Sequence, residues 1–383
     1  MRLLFVTQDF PPEIGGIQTY SWELAHRLST KASAFEVVAP AVSDDASGPA
    51  SPFPVLRVDG RPDLLPLTGL RTVCQRARAL RADWAFHAQW QTVGTSVLAR
   101  FLTGWPRRIA CAAHGRELLF NPAASIPGLR GAYDTLRRGL LRQVDTFTPV
   151  SHYTARLLHD QGVPPEQTHV VPNGTNPDRF YPRESSALRQ ELDLSDRPLL
   201  LTVGRLVPRK GIDTVLRALP AVVEARPDVA YVVAGTGPDR PRLEHLTAEL
   251  GLREHVYFRG RVPHDALPDY YSAADVFVMP AREDPPDVEG FGLVFLEANA
   301  CGTPVIGARV GGVPDAIQHE DTGLLVPPDD PAATAQALTR LLTSPDLAQR
   351  LGEQGLERVR TTANWDHVAD RLWSVLTSAP PGA

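Results

Sequence analysis

The sequence predicts an α/β protein built from two doubly wound parallel-sheet domains, and three observations carry that reading. A chain of 383 residues exceeds what one core ordinarily organises and suits two domains of typical size. Short apolar runs alternate with amphipathic stretches in each half, which implies parallel sheets covered on both faces. A proline-rich stretch at 176–182 then parts two successive sets of this pattern, so the sets belong to separate domains.

In the first half, strands are expected at 3–6, 36–39, 84–88, 109–113, 146–150 and 169–171. The second half repeats them at 199–203, 230–234, 256–259, 276–279, 305–307 and 324–326. Helical spacing at 18–28, 212–224 and 239–250 fills the intervals. Residues 44–54, rich in Ala, Ser, Asp and Pro, read as a flexible surface loop. The expected domains are 1–182 and 183–364, with a final helix at about 365–378 packing back on the first. Ligands of such sheets sit beyond the carboxyl ends of the strands, so two such domains facing each other imply a cleft between them.

Composition narrows the class. With 43% hydrophobic and 22% charged residues the chain is of the soluble globular type. Its apolar runs, such as 199–203, are far too short for a bilayer-spanning helix. Residues 1–6 lack the pattern of a signal peptide and read as a buried strand. Cys74, Cys111 and Cys301 are scattered, as free thiols in a reducing cytoplasm would be. The net charge of −5 hides an asymmetry: residues 1–183 carry 20 Lys+Arg against 15 Asp+Glu, the remainder 19 against 29. No nucleic-acid partner is implied, whereas the basic half suits an anionic partner or membrane surface.

Two segments carry the chemistry. Gly204-Arg205-Leu206-Val207-Pro208-Arg209-Lys210-Gly211 leaves the carboxyl end of a strand. An arginine fork and a compact ammonium on a glycine-bounded loop suit a diphosphate and the charge gathering on it as it departs. Alone, such a loop is more often a solvated basic turn. Only Lys31 and Lys210 are lysines in a chain that otherwise uses arginine, which sets Lys210 apart. In the second segment, Glu289 and Glu297 flank Gly290-Phe291-Gly292-Leu293-Val294. A helix starting near Leu293 would offer backbone N–H groups to an anion, with Glu297 about one turn, ~5.4 Å, further on. Either glutamate alone is unremarkable, and the combined pattern is what points to a ligand.

These motifs resemble glycosyltransferase family 4, across nearly the whole chain. The resemblance implies the GT-B fold, two Rossmann-like domains, and a donor that is a nucleotide-diphosphate sugar. It implies that Arg205 and Lys210 bind the diphosphate, that Glu289 contacts the donor sugar, and that Glu297 binds the ribose hydroxyls. Pro11-Pro12-Glu13-Ile14-Gly15-Gly16-Ile17 matches the family's N-terminal loop, in which Gly15 and Gly16 close on the phosphates and border the acceptor. His114 would contact the sugar or orient the acceptor hydroxyl, although a lone histidine is more often structural. Asn173 lies in a family-like Val-Pro-Asn-Gly, and Arg261 and Val262 match the segment whose backbone contacts the base. Gly235-Thr236-Gly237 is too short a pattern to assign a ligand, and its lack of a third glycine argues against a dinucleotide-dependent oxidoreductase.

The family retains anomeric configuration. No carboxylate nucleophile stands out beyond Glu289, so same-face attack is expected, with the diphosphate taking the acceptor proton. No Asp-x-Asp occurs, so neither a metal nor a cofactor is expected. The segment 9–20 and Asp287-Val288-Glu289-Gly290 look most like bacterial GDP-mannose-dependent α-mannosyltransferases of the phosphatidylinositol mannoside type, with a UDP-sugar donor as the alternative. A lipid-linked or saccharide hydroxyl is the expected acceptor. Basic amphipathic stretches at 70–81 and 129–142 either rest on an anionic membrane, making the enzyme peripheral on its inner face, or turn an apolar stripe to the core. A catalytically silent nucleotide-sugar-binding paralogue is the remaining reading.

Overall fold

A computed structural model describes residues 1–13, 15–41, 50–126, 129–184, 186–191, 193–194 and 197–378. Residue 14 of the Gly-Gly loop and 44–49 of the expected flexible loop lie outside these. The chain divides into two compact units: Met1–Pro172 together with the last helix, Trp365–Ser378, and Asn173–Asn364.

The first unit holds strands β1 (Arg2–Val6), β2 (Ala34–Pro40), β3 (Val55–Val58), β4 (Trp84–His87), β5 (Arg108–Ala113) and β6 (Thr146–Pro149). They form one six-stranded sheet in the order β3-β2-β1-β4-β5-β6, parallel throughout. The second holds β7 (Leu199–Val203), β8 (Ala230–Ala234), β9 (Val256–Gly260), β10 (Val276–Met279), β11 (Val305–Ala308) and β12 (Gly323–Val326). Its order, β12-β11-β10-β7-β8-β9, is the same winding read from the other edge, again parallel. This is the doubly wound Rossmann arrangement twice over.

The strands form because both faces of each sheet are covered by helices. Every residue of β7, β8 and β10 is buried. Thr202, a polar side chain in this core, is satisfied locally: its Oγ1 lies 2.7 Å from the Tyr231 hydroxyl. The last helix lies on the helix Gly16–Lys31, with Arg27 bonded to Asp366 at 2.7 Å and Trp365 edge-on to Tyr20. Cys74, Cys111 and Cys301 are free thiols.

The sheets differ from expectation at one strand. The sixth member of the first sheet is β3, and residues 169–171 run beside β6 without joining the sheet as a strand. The N–H groups of His169 and Val171 reach Phe147 O and Pro149 O, both at 2.9 Å. Pro149 has no N–H to return, so the ladder cannot close.

Candidate active site

Winding places the chemistry. In each sheet the strand order reverses at the centre, between β1 and β4 and between β7 and β10, and loops leaving those strands diverge to open a crevice. The Gly204–Gly211 loop leaves β7 and the loop carrying Glu289 leaves β10. They meet there: Lys210 Nζ donates to Glu289 Oε2 at 2.6 Å, and Arg209 donates to the same oxygen at 2.5 Å. Lys210 is buried and Glu289 nearly so.

Glycines and backbone bonds fix both loops. Gly211, at φ +67°, runs so close to Pro280 that a Cβ would lie 2.0 Å from its carbonyl oxygen. Arg282 N–H bonds Arg209 O at 2.8 Å, tying the cation loop to the end of β10. Gly312 N–H likewise bonds Glu289 O at 2.8 Å, and Gly311 leaves no room for a side chain there. Burial pushes the Glu289 carboxyl up, but the Lys210 and Arg209 charges outweigh it and hold the group at about 2. Burial also draws the Lys210 ammonium down, against the pull of Glu289. Glu289 is therefore ionised at neutral pH.

The helix Leu293–Ala300 follows, with Gly292 at its N-cap in left-handed conformation (φ +95°) and no side chain capping its first N–H groups. Phe291 is buried, while Leu293 and Val294 are half-buried. Glu297 is buried on this helix and accepts from the Tyr271 hydroxyl at 2.7 Å. Arg205 is exposed, and its side chain makes no hydrogen bond or ion pair among the described residues. Asn173 is buried, with its Oδ1 unpartnered among the described residues. Arg261 and Val262 follow β9 and help line an open hollow of about 480 Å³ with Pro263 and Tyr270.

In the first unit, Gly15 caps the helix Gly16–Lys31, again without a side-chain cap. His114 leaves β5. Its Nε2 lies 3.0 Å from Ala88 O, and since a carbonyl only accepts, Nε2 carries the hydrogen and Nδ1 keeps its lone pair. Burial lowers its basicity against the field of Glu117, whose Oε1 accepts from the His114 backbone N–H at 2.6 Å. The Tyr20 ring stands edge-on to it at 4.7 Å.

Three site features escaped the sequence reading. Arg209, given no role in the sequence reading, is a second cation on Glu289. Tyr271 lies 26 positions before Glu297, with no local spacing to signal the contact. Asp9, after β1, is a carboxyl that burial, followed by Glu13, raises to about 6.

Comparison with known proteins decides the family. The model for "Glycosyltransferase Family 4" matches residues 14–179, and that for "Glycosyl transferases group 1" matches 184–358. The GDP-mannose-dependent alpha-(1-6)-phosphatidylinositol monomannoside mannosyltransferase of Mycobacterium tuberculosis is 36% identical over 380 residues, 97% of each chain. The chain belongs to glycosyltransferase family 4. Among other relatives of this glycosyltransferase, the D-inositol 3-phosphate glycosyltransferase of Geodermatophilus obscurus is 31% identical over 96% of this chain and 85% of its own. The sucrose-phosphate synthase of Thermosynechococcus elongatus superposes with a TM-score of 0.81 at 27% identity, covering 99% of both chains. The transferase therefore has the GT-B fold and moves a hexose from a nucleotide sugar.

Proposed function

We propose that this glycosyltransferase moves mannose, with retention, from GDP-mannose to a hydroxyl of an inositol-bearing phospholipid. The observation that carries this reading is the 36% identity across 97% of both chains with a relative named for that donor and a phosphatidylinositol mannoside. The Geodermatophilus obscurus relative is also named for an inositol derivative, which supports an inositol ring at the acceptor end.

In this reading the diphosphate lies against Arg205, Lys210 and the uncapped start of the helix Leu293–Ala300, where N–H groups and cations face the same charge. Glu297 takes the ribose hydroxyls and Glu289 a hydroxyl of the sugar. Gly15 and Gly16 border the phosphates, Asn173 lies beside the donor, and the backbone at Arg261 and Val262 meets the base. The bond from sugar C1 to the phosphate oxygen breaks as the acceptor oxygen attacks the same face. The acceptor proton passes to the departing diphosphate, leaving mannoside and GDP. His114, with Nδ1 unprotonated, orients that acceptor hydroxyl. Protein cations rather than a metal carry the leaving-group charge.

The test is nucleotide release from GDP-mannose and UDP-sugars, with phosphatidylinositol, its monomannoside and inositol 3-phosphate as acceptors, in chelator. GDP release with a mannosylated lipid is expected, and Lys210→Ala should lower kcat by about 10²-fold or more. Turnover of UDP-sugars alone would overturn the donor, transfer to inositol 3-phosphate alone the lipid, and binding without turnover the enzyme reading.

A further inference from the structure

Glu297 is held from behind. Tyr271 belongs to the helix Leu267–Ala273, and its ring is fully buried between Phe180 and Phe277, with centroids at 6.0 and 5.7 Å. Thr303 Oγ1 donates to its backbone carbonyl at 2.6 Å, fixing the helix end. From this seat the hydroxyl reaches Glu297 Oε2 at 2.7 Å. No described residue donates to Oε1. Burial drives Glu297 towards its neutral acid, while the Tyr271 hydroxyl, then Arg179 and Lys210, draw it back. The phenol is itself pushed far above its ordinary range, by burial first and then by Glu297, so it remains a donor at any working pH. Cys301, at the end of the Glu297 helix, adds to that upward push. A buried carboxylate with one oxygen committed and one open is an acceptor aimed at a hydroxylated ligand.

We propose that Tyr271 is a positioning residue for the nucleoside diphosphate: its hydroxyl pins Oε2 of Glu297 and thereby presents Oε1 as an acceptor to the vicinal diol of the ribose. This rests on the donor reading above, and it adds a residue that touches no substrate. Removing the hydroxyl leaves Glu297 buried with less to hold its charge, so the acid form takes over at higher pH than in the wild type. The contact with ribose weakens in that form, because the acid has lost its charge and turned one oxygen from acceptor to donor. Donor recognition in Tyr271→Phe therefore weakens as pH falls, whereas a purely structural ring would be indifferent to pH.

The experiment compares calorimetric affinity for GDP and 2′,3′-dideoxy-GDP in the full chain between about pH 6 and about pH 8. Taking the ratio cancels titration of the phosphates. Wild type should prefer GDP by about tenfold or more throughout. Tyr271→Phe should keep most of that preference at the upper end and lose it at the lower, with KM for the sugar donor rising while kcat stays within about twofold. An unchanged ratio at every pH in Tyr271→Phe overturns the proposal. Tyr271→Met, which also lacks the hydroxyl, makes the same test if the first variant folds poorly, and Tyr271→Phe combined with Glu297→Gln should have a small ratio with no pH slope, so a slope that persists there also overturns the proposal. If Glu297→Gln keeps the full wild-type preference, the donor reading itself fails.

Discussion

Asp9 and Glu289 are two partly buried carboxyls whose surroundings push them in opposite directions. Around Glu289, Lys210 and Arg209 overcome burial and depress the folded-state pKa to about 2. Its contribution to stability is present above the ordinary carboxylate range and is lost as pH falls towards about 2. At Asp9, burial leads, Glu13 and Glu117 add to it, Gln89 opposes, and the folded-state pKa rises to about 6. Here the sign reverses: stability from the neutral acid is full below the unfolded pKa and is lost as pH rises through about 6. Asp9→Asn keeps a carbonyl for the Gln18 amide, which donates at 2.7 Å, and removes the charge. Urea unfolding should find the variant more stable than wild type by about 1–2 kcal/mol near pH 8, shrinking towards zero near pH 4. An equal gain at both ends would refute the charge argument. The sequence singles out Lys210 by the scarcity of lysine in the whole chain and Glu289 by its spacing from Glu297, and the fold brings Lys210 and Glu289 together. The Asp9 environment was visible only in part, because Glu13 is four residues away whereas Gln89 and Glu117 come from the loops after β4 and β5.

At the level of elements, Gly235-Thr236-Gly237 shows how a motif that looks like a ligand fragment can be packing. Leu206 N–H bonds Thr236 O at 2.9 Å, and Asp239 N–H bonds Leu206 O at 3.1 Å, so this segment and the Arg205 loop run backbone against backbone. A Cβ on Gly235, whose φ is +150°, would stand 1.8 Å from Gly204 O, and one on Gly237 would stand 2.1 Å from Leu206 O. Gly235→Ala should therefore destabilise the second unit by roughly 2–4 kcal/mol, read as a lowered thermal midpoint. It should also raise donor KM, because the loop that presents Arg205 must shift. Wild-type values for both would show that the contact can relax. Elsewhere the elements were largely readable. All six strands of the second sheet fall where apolar runs place them: five are buried throughout, and the edge strand β9, with only Val256 buried, still carries the run Val-Tyr-Phe. The edge strand β3 escaped notice because it is only four residues long and the exposed Arg57 interrupts its apolar run. The 169–171 segment was mistaken for a strand because its side chains suit one, and the obstacle is a proline on its neighbour.

The whole molecule carries its charges unevenly, and the excess of arginine over acid lies in the first unit beside exposed apolar side chains. The helix Val93–Thr103 contacts both basic helices, Leu70–Leu80 and Leu129–Leu141. It leaves Phe101 85% and Leu102 62% exposed, and Leu67 nearby is 75% exposed. Arg71, Arg78, Arg81 and Arg142 are exposed as well. Helix 70–80 does turn Val73 and Ala77 to the core, as a core-facing stripe would. Helix 129–141 instead buries Arg137, which bonds Leu118 O at 2.7 Å and Asp134 at 2.8 Å, and exposes Leu136. Periodicity assigns apolar residues to the interior, so the sequence flagged the arginines and passed over Phe101. No described helix is long and apolar enough to cross a membrane. An apolar ridge flanked by unburied cations is instead suited to resting on an anionic bilayer, each arginine near the surface contributing ~1 kcal/mol. Sedimentation with phosphatidylinositol-containing vesicles should show binding that weakens steeply with salt and is slight on neutral vesicles. Phe101→Asp should reduce it about tenfold without altering the thermal midpoint, because an exposed ring contributes little to folding. Equal binding to neutral and anionic vesicles, or no effect of Phe101→Asp, would leave the lipid acceptor to be reached by some other face.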